Sequence, residues 1–196
     1  MKDRKAVLMT VIMIVGCLII AGAAIADSDE RGERGERHER RSGGIFGRRL
    51  DVAPVTNAVY TKECGSCHFA YQPGLLPARS WNKIMDTLDQ HFGDNAELDA
   101  DTQKELTAFL AANSAETSKY KASVKILNSI KGNDVPLAIT KTAYFTHKHR
   151  EVPARMVKGN QQVKSFSACG KCHTEAEKGS YDEHEVRIPG YGRFED

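Results

Sequence analysis

The chain has 196 residues, with 28 Lys and Arg against 26 Asp and Glu, a formal net charge of +2 and 40% hydrophobic residues. So even a balance excludes a protein held to nucleic acid by its overall charge. Local imbalance is larger: residues 116–164 carry ten Lys and Arg against three acids, whereas residues 86–105 carry seven acids against one Lys.

The N-terminus opens with Lys2, Asp3, Arg4 and Lys5, runs apolar from Ala6 to Ala23, and reaches Ala24-Ile25-Ala26 before Asp27. A basic start, an apolar core and a small-x-small site are the layout of a secretory signal peptide, so residues 1–26 are expected to be removed on export to the periplasm. The competing reading is a retained membrane anchor, because the apolar run approaches the ~20 residues that span a bilayer. A lipoprotein site at Cys17 is the third, disfavoured by the apolar residues that continue after it. Cleavage would leave no membrane span and 25 residues of each charge.

Residues 27–54 contain RGERGERHERR followed by Ser42-Gly43-Gly44, with almost nothing apolar to bury, which predicts a disordered tether in which His38 is solvated. Beyond it a short helix is predicted over 55–63. After the Pro- and Gly-broken stretch at 72–77, Ser80 reads as the N-cap of a helix to about Phe92. Trp81, Ile84, Met85, Leu88, His91 and Phe92 would share one face of that helix, and Gly93 would close it. A further helix is predicted over 99–112 with Leu106, Phe109 and Leu110 inward, another over 121–131, and a turn or two over 174–178 stopped by Gly179.

CGSCH at Cys64–His68 recurs as CGKCH at Cys169–His173, 105 positions on, and the remaining cysteine, Cys17, lies in the signal segment. A C-x-x-C pair suits structural zinc, a redox dithiol, disulfides or haem attachment. Zinc pairs are ordinarily ~15–20 residues apart, and a thioredoxin-like dithiol needs a strand before a helix, which neither site shows. Histidine directly after both pairs, in a chain with only seven His, selects haem. Two thiols three positions apart can form thioethers with the two vinyl groups on one haem edge, and the adjoining imidazole can bind the iron. Cys64, Cys67 and His68 are thus assigned to one covalently bound haem c, and Cys169, Cys172 and His173 to a second.

Divided at 115/116, the chain would hold a first haem module over 55–115 and a second over 116–196, of 61 and 81 residues. Cores of that size are marginal without staples, and a covalently held macrocycle would supply one where only seven Phe, six Tyr and one Trp are available. Function turns on the sixth iron ligand. Protein there gives an electron carrier, an open position gives gas or peroxide chemistry. The candidates are His38, His91, His147, His149, His184, Met85 and Met156, with His91 favoured because its predicted helix follows the first motif.

The stretches ECGSCHFAYQPGLLPARSWNKIMDTLDQHFGDNAELD, ITKTAYFTHKHREVP and CGKCHTEAEKGSYDEHEVRIPG resemble the bacterial dihaem cytochrome c family, over nearly all of residues 58–190. The resemblance implies a mainly α fold, with an N-terminal module like a class I cytochrome c and a less regular C-terminal one. It also implies a small electron carrier with two low-spin, bis-histidine haems. It matches His91 in HFG and favours His149 over His147 as the other distal ligand; chain proximity pairs His91 with the first haem and His149 with the second. The partners it implies are redox proteins, such as a membrane cytochrome b and a high-spin oxygen-binding cytochrome c. The competing reading is a haem enzyme, a peroxidase or small-molecule oxidoreductase, or a gas-binding protein with one open iron.

Overall fold

The computed structural model describes residues 50–194. The signal segment, His38 and most of the tether lie outside that range.

Helix α1 (Ala58–Gly65) starts where the Asn57 side chain accepts a hydrogen bond from the Tyr60 amide at 2.8 Å, satisfying one of the first-turn donors. It carries Cys64 in its last turn. Helix α2 (Ala78–Met85) begins directly after Pro77, and its cap comes from far along the chain, the Glu116 carboxylate accepting from the Ala78 amide at 2.9 Å. Ser80, the cap that local sequence suggests, is instead inside the helix and fully buried. Helix α2 also stops seven residues short of Phe92. At Thr87 the hydroxyl donates to the Lys83 carbonyl at 2.9 Å while the amide turns to Ile84 at 3.1 Å, an i−3 bond that tightens the chain. A separate 3₁₀ turn follows at Leu88–Gln90, then Phe92 and Gly93 take left-handed φ values of 53° and 100°. His91 is therefore not on the α2 stripe but on a turn beyond it.

Helix α3 (Ala100–Ala112) is capped by Asp99, which accepts from the Thr102 amide at 3.0 Å. It packs on α2, so that Leu106 and Leu110 meet Trp81, Ile84, Met85 and Leu88 in the main core with Tyr60 and Leu76. Each such side chain, fully buried, contributes roughly 1.5–3 kcal/mol. The buried Trp81 indole donates to the Pro73 carbonyl at 2.7 Å and the Tyr60 hydroxyl to the Tyr71 carbonyl at 2.7 Å, so neither aromatic leaves a polar atom unsatisfied.

Helix α4 (Lys121–Ser129) brings Ile126 against Val52 and Leu75 in a second cluster. It approaches closely because residue 74 is glycine: a Cβ there would stand 2.6 Å from the Ser123 hydroxyl. Residues 51–54, the end of the segment expected as a tether, are packed into the body. Val52 is fully buried, Asp51 and Val52 donate to the Gly179 carbonyl at 2.9 and 3.2 Å, and Asp51 accepts from Ala122 and Tyr181.

The remaining elements are short: α5 (Ala143–Lys148), capped by the Thr142 hydroxyl, α6 (Ala154–Val157) after Pro153, α7 (Cys169–Cys172) and a 3₁₀ turn at Ala176–Lys178. Gly179, at φ 82°, ends that turn. A small antiparallel hairpin closes the chain, β1 (Arg187–Ile188) pairing with β2 (Gly192–Arg193) so that Ile188 lies opposite Gly192. The fold is mainly α, and among the described residues no helix is long and apolar enough to cross a membrane.

Candidate metal centres

The first motif leaves α1 in a tight turn. Cys64 is half-buried at the edge of the main core, Cys67 is exposed, and Ser66 ties the turn by donating to the Glu63 carbonyl at 2.9 Å. His68 Nδ1 lies 2.8 Å from the Phe69 carbonyl oxygen, and since a carbonyl only accepts, that nitrogen carries the proton. The lone pair is thereby left on Nε2. His91, at the end of the Leu88–Gln90 turn, faces it: the two ring centroids are 6.1 Å apart and the planes 20° from parallel. The Asp94 amide donates to the His91 carbonyl at 3.1 Å and Ala96 to Leu88 at 2.8 Å, closing the loop that presents His91.

The second motif forms α7, with His173 as its C-cap. His149 caps α5, its Nδ1 3.0 Å from the Phe145 carbonyl, the same arrangement as at His68. Its ring centroid is 6.1 Å from that of His173, with the planes 74° apart. His147, by contrast, is exposed and its Nδ1 stands 2.8 Å from the Arg150 guanidinium. His184 is exposed, Met85 belongs to the main core, and Met156 is half-buried on α6.

Both facing pairs suit a shared iron. An iron–nitrogen bond of about 2 Å on each side, plus the distance from ring nitrogen to ring centre, places two axial imidazole centroids roughly 6 Å apart. Among the described residues no group of three or more His, Cys, Asp or Glu side chains is gathered to hold a metal unaided. A pair of imidazoles could hold an iron only where a macrocycle supplied its other ligands. Burial, and then the neighbouring His149, pull the His173 pKa down to about 4, and burial followed by His68 lowers that of His91, so both rings favour the neutral form, the one a metal ligand needs. His173 Nδ1 is buried with no hydrogen-bond partner among the described residues. The Cys64, Cys169 and Cys172 thiols are not built as reactive thiolates. Burial pushes Cys64 and Cys169 up to about 11 and raises Cys172, opposite to the depressed values of redox dithiols.

Several residues of the site escaped the sequence reading. The Tyr71 ring lies 5.2 Å from that of His68, and the Tyr181 ring 5.2 Å from that of His173. Tyr71 donates to the Ser167 carbonyl at 2.7 Å, Tyr181 donates to the Gln72 side-chain oxygen at 2.7 Å, and the Gln72 amide reaches the Ala176 carbonyl. These bonds sew the segment after the first motif to the segments flanking the second. Tyr71, three residues after His68, was findable by spacing, as was Phe145, four before His149. Nothing local in the sequence ties Gln72 to Tyr181.

A fold of this kind, with two C-x-x-C-H turns each faced by a second histidine, defines a c-type cytochrome. The profile of the Dihaem cytochrome c family matches residues 60–181, and the chain belongs to that family of haem-based electron carriers, with two covalently bound c-type haems. A crystal structure of the diheme cytochrome type c of Shewanella baltica OS155 shares 44% identity at a TM-score of 0.60, covering 71% of this chain and 98% of that one. Two structures of the diheme cytochrome c of Rhodobacter sphaeroides share 37% and 36% identity at TM-scores of 0.59 and 0.52, covering 66% and 65% of this chain and 100% and 99% of theirs. No curated protein sequence matches.

Proposed function

We propose that the protein is an exported, periplasmic carrier that passes single electrons between redox proteins through two low-spin, low-potential haems. Cys64 and Cys67 would attach the first, with His68 and His91 as its iron ligands; Cys169 and Cys172 would attach the second, with His173 and His149 as its iron ligands. The observation that supports this reading is the pair of imidazoles with centroids 6.1 Å apart at each motif, a set of ligands that would leave neither iron an open position for substrate. When bound, the haems supply a reversible one-electron centre. The chain's own residues do the rest. The Phe69 and Phe145 carbonyls fix the tautomers of His68 and His149, and a second imidazole ligand would favour the oxidised state more than a methionine would, giving low potentials. A membrane cytochrome b on the donor side and a high-spin oxygen-binding cytochrome c on the acceptor side are the proposed partners. The test is the absorption spectrum of the dithionite-reduced protein before and after CO. An unchanged Soret band is expected; a shifted one would mean an open or easily displaced iron and turn the reading towards an enzyme or gas-binding protein.

A further inference from the structure

The two histidine pairs have the same separation and different twist, 20° between His68 and His91 but 74° between His149 and His173. We propose that Phe145 is a positioning residue that holds His149 crosswise to His173, making the two haem sites electronically unlike so that an electron rests preferentially at the second. The inference rests on the axial assignments proposed above.

The hold on His149 is specific. The Phe145 ring, one helical turn earlier on α5, stacks on the His149 ring at 3.9 Å and 14°. The Phe145 carbonyl engages His149 Nδ1 at 3.0 Å, so rotation of the imidazole would break both contacts at once. Phe166 stands edge-on to both rings, at 88° to His149 and 90° to Phe145. His173 is held independently, by Tyr181 at 60° and by a bridge to Val186. Among the described residues no comparable face-to-face stack of an aromatic side chain orients the first pair: Phe92 meets His91 edge-on at 80°, and Tyr71 is tilted 37° from His68.

The twist has electronic consequences. An axial imidazole donates π density into the iron d orbital that stands perpendicular to its plane. Near-parallel rings donate into the same orbital, splitting it from its neighbour and stabilising the hole of the oxidised state. Crossed rings act on one orbital each, which leaves the two close in energy and stabilises the hole less. The second site therefore has the higher potential of the two. Its surroundings act in the same direction: the exposed His68 contrasts with the half-buried His173, and a setting drawn further from water opposes the added charge of the oxidised form.

Low-temperature electron paramagnetic resonance of the oxidised holoprotein tests this, with Phe145→Leu and the conservative Phe145→Tyr. The expected wild-type spectrum has one rhombic low-spin signal with resolved g values and one highly anisotropic signal with a single large g feature. Phe145→Leu should convert the second into a rhombic signal and lower only the higher midpoint potential, while Phe145→Tyr preserves both. A purely structural role would lower the melting temperature without moving g values. Two rhombic signals in the wild type, or a large-g signal that survives Phe145→Leu, would overturn the proposal. The wild-type spectrum decides even if the leucine variant does not fold. A high-spin signal would overturn the axial assignments themselves, a failure distinct from that of Phe145.

Discussion

His147 and His149 are two residues apart, and the difference between them lies in what holds each ring. His149 is stacked on Phe145 and bonded to its carbonyl, so its orientation is fixed before any metal arrives. His147 is exposed and beside the Arg150 guanidinium, whose charge opposes a second positive centre. His149→Ala is accordingly expected to open one iron, seen as a CO-dependent shift of part of the Soret band, whereas His147→Ala should give the wild-type spectrum with and without CO. A CO response in the His147 variant alone would reverse the assignment. That His149 and not His147 faces His173 follows from the short α5, whose six residues end at Lys148, so that His149 leaves the helix as its C-cap. Spacing alone could say only that two residues so close point apart.

At the scale of elements, those that local chemistry specifies were legible and those that distant partners specify were not. Helix α3 lies within one residue of its predicted start because Asp99 is a real cap, and Gly179 does end the turn after the second motif. Helix α2 was misread at both ends. Its cap is Glu116, 38 positions away, and its end is set by Thr87 hydrogen bonding back to Lys83, which a periodicity of apolar residues does not register. His91 lies 6.1 Å from the His68 ring as the C-cap of the turn at Leu88–Gln90, and not from a helical stripe. Gly179 shows how one position serves two elements. It takes φ 82° to stop the 3₁₀ turn, and its missing Cβ lets the Val52 carbonyl pass alongside. Gly179→Ala is expected to cost ~1–3 kcal/mol, read as a lowered melting temperature of the holoprotein with both haems still attached. An unchanged melting temperature would mean that the 51–54 segment does not need this close approach.

Across the molecule, charge is sorted more sharply than the net value of +2 suggests. Asp86, Asp89, Asp94 and Glu97 are exposed on the segment that presents His91, whereas the exposed lysines concentrate after residue 116, at Lys121, Lys125, Lys141, Lys158 and Lys164. An acidic redox partner steered by those lysines would arrive faster at low ionic strength, because charge complementarity acts on the encounter and is screened within about 10 Å at 0.1 M salt. The expected result is a bimolecular electron-transfer rate that falls roughly tenfold or more as salt rises through the physiological range, with Lys125→Glu and Lys141→Glu slowing it at low salt and having little effect at high salt. Stopped-flow mixing with an acidic partner at several salt concentrations measures it. A rate that rises with salt would instead assign docking to the acidic segment around His91, and therefore to a basic partner at the first haem. A rate indifferent to salt would mean that the lysines serve this chain alone, pairing with the haem carboxylates.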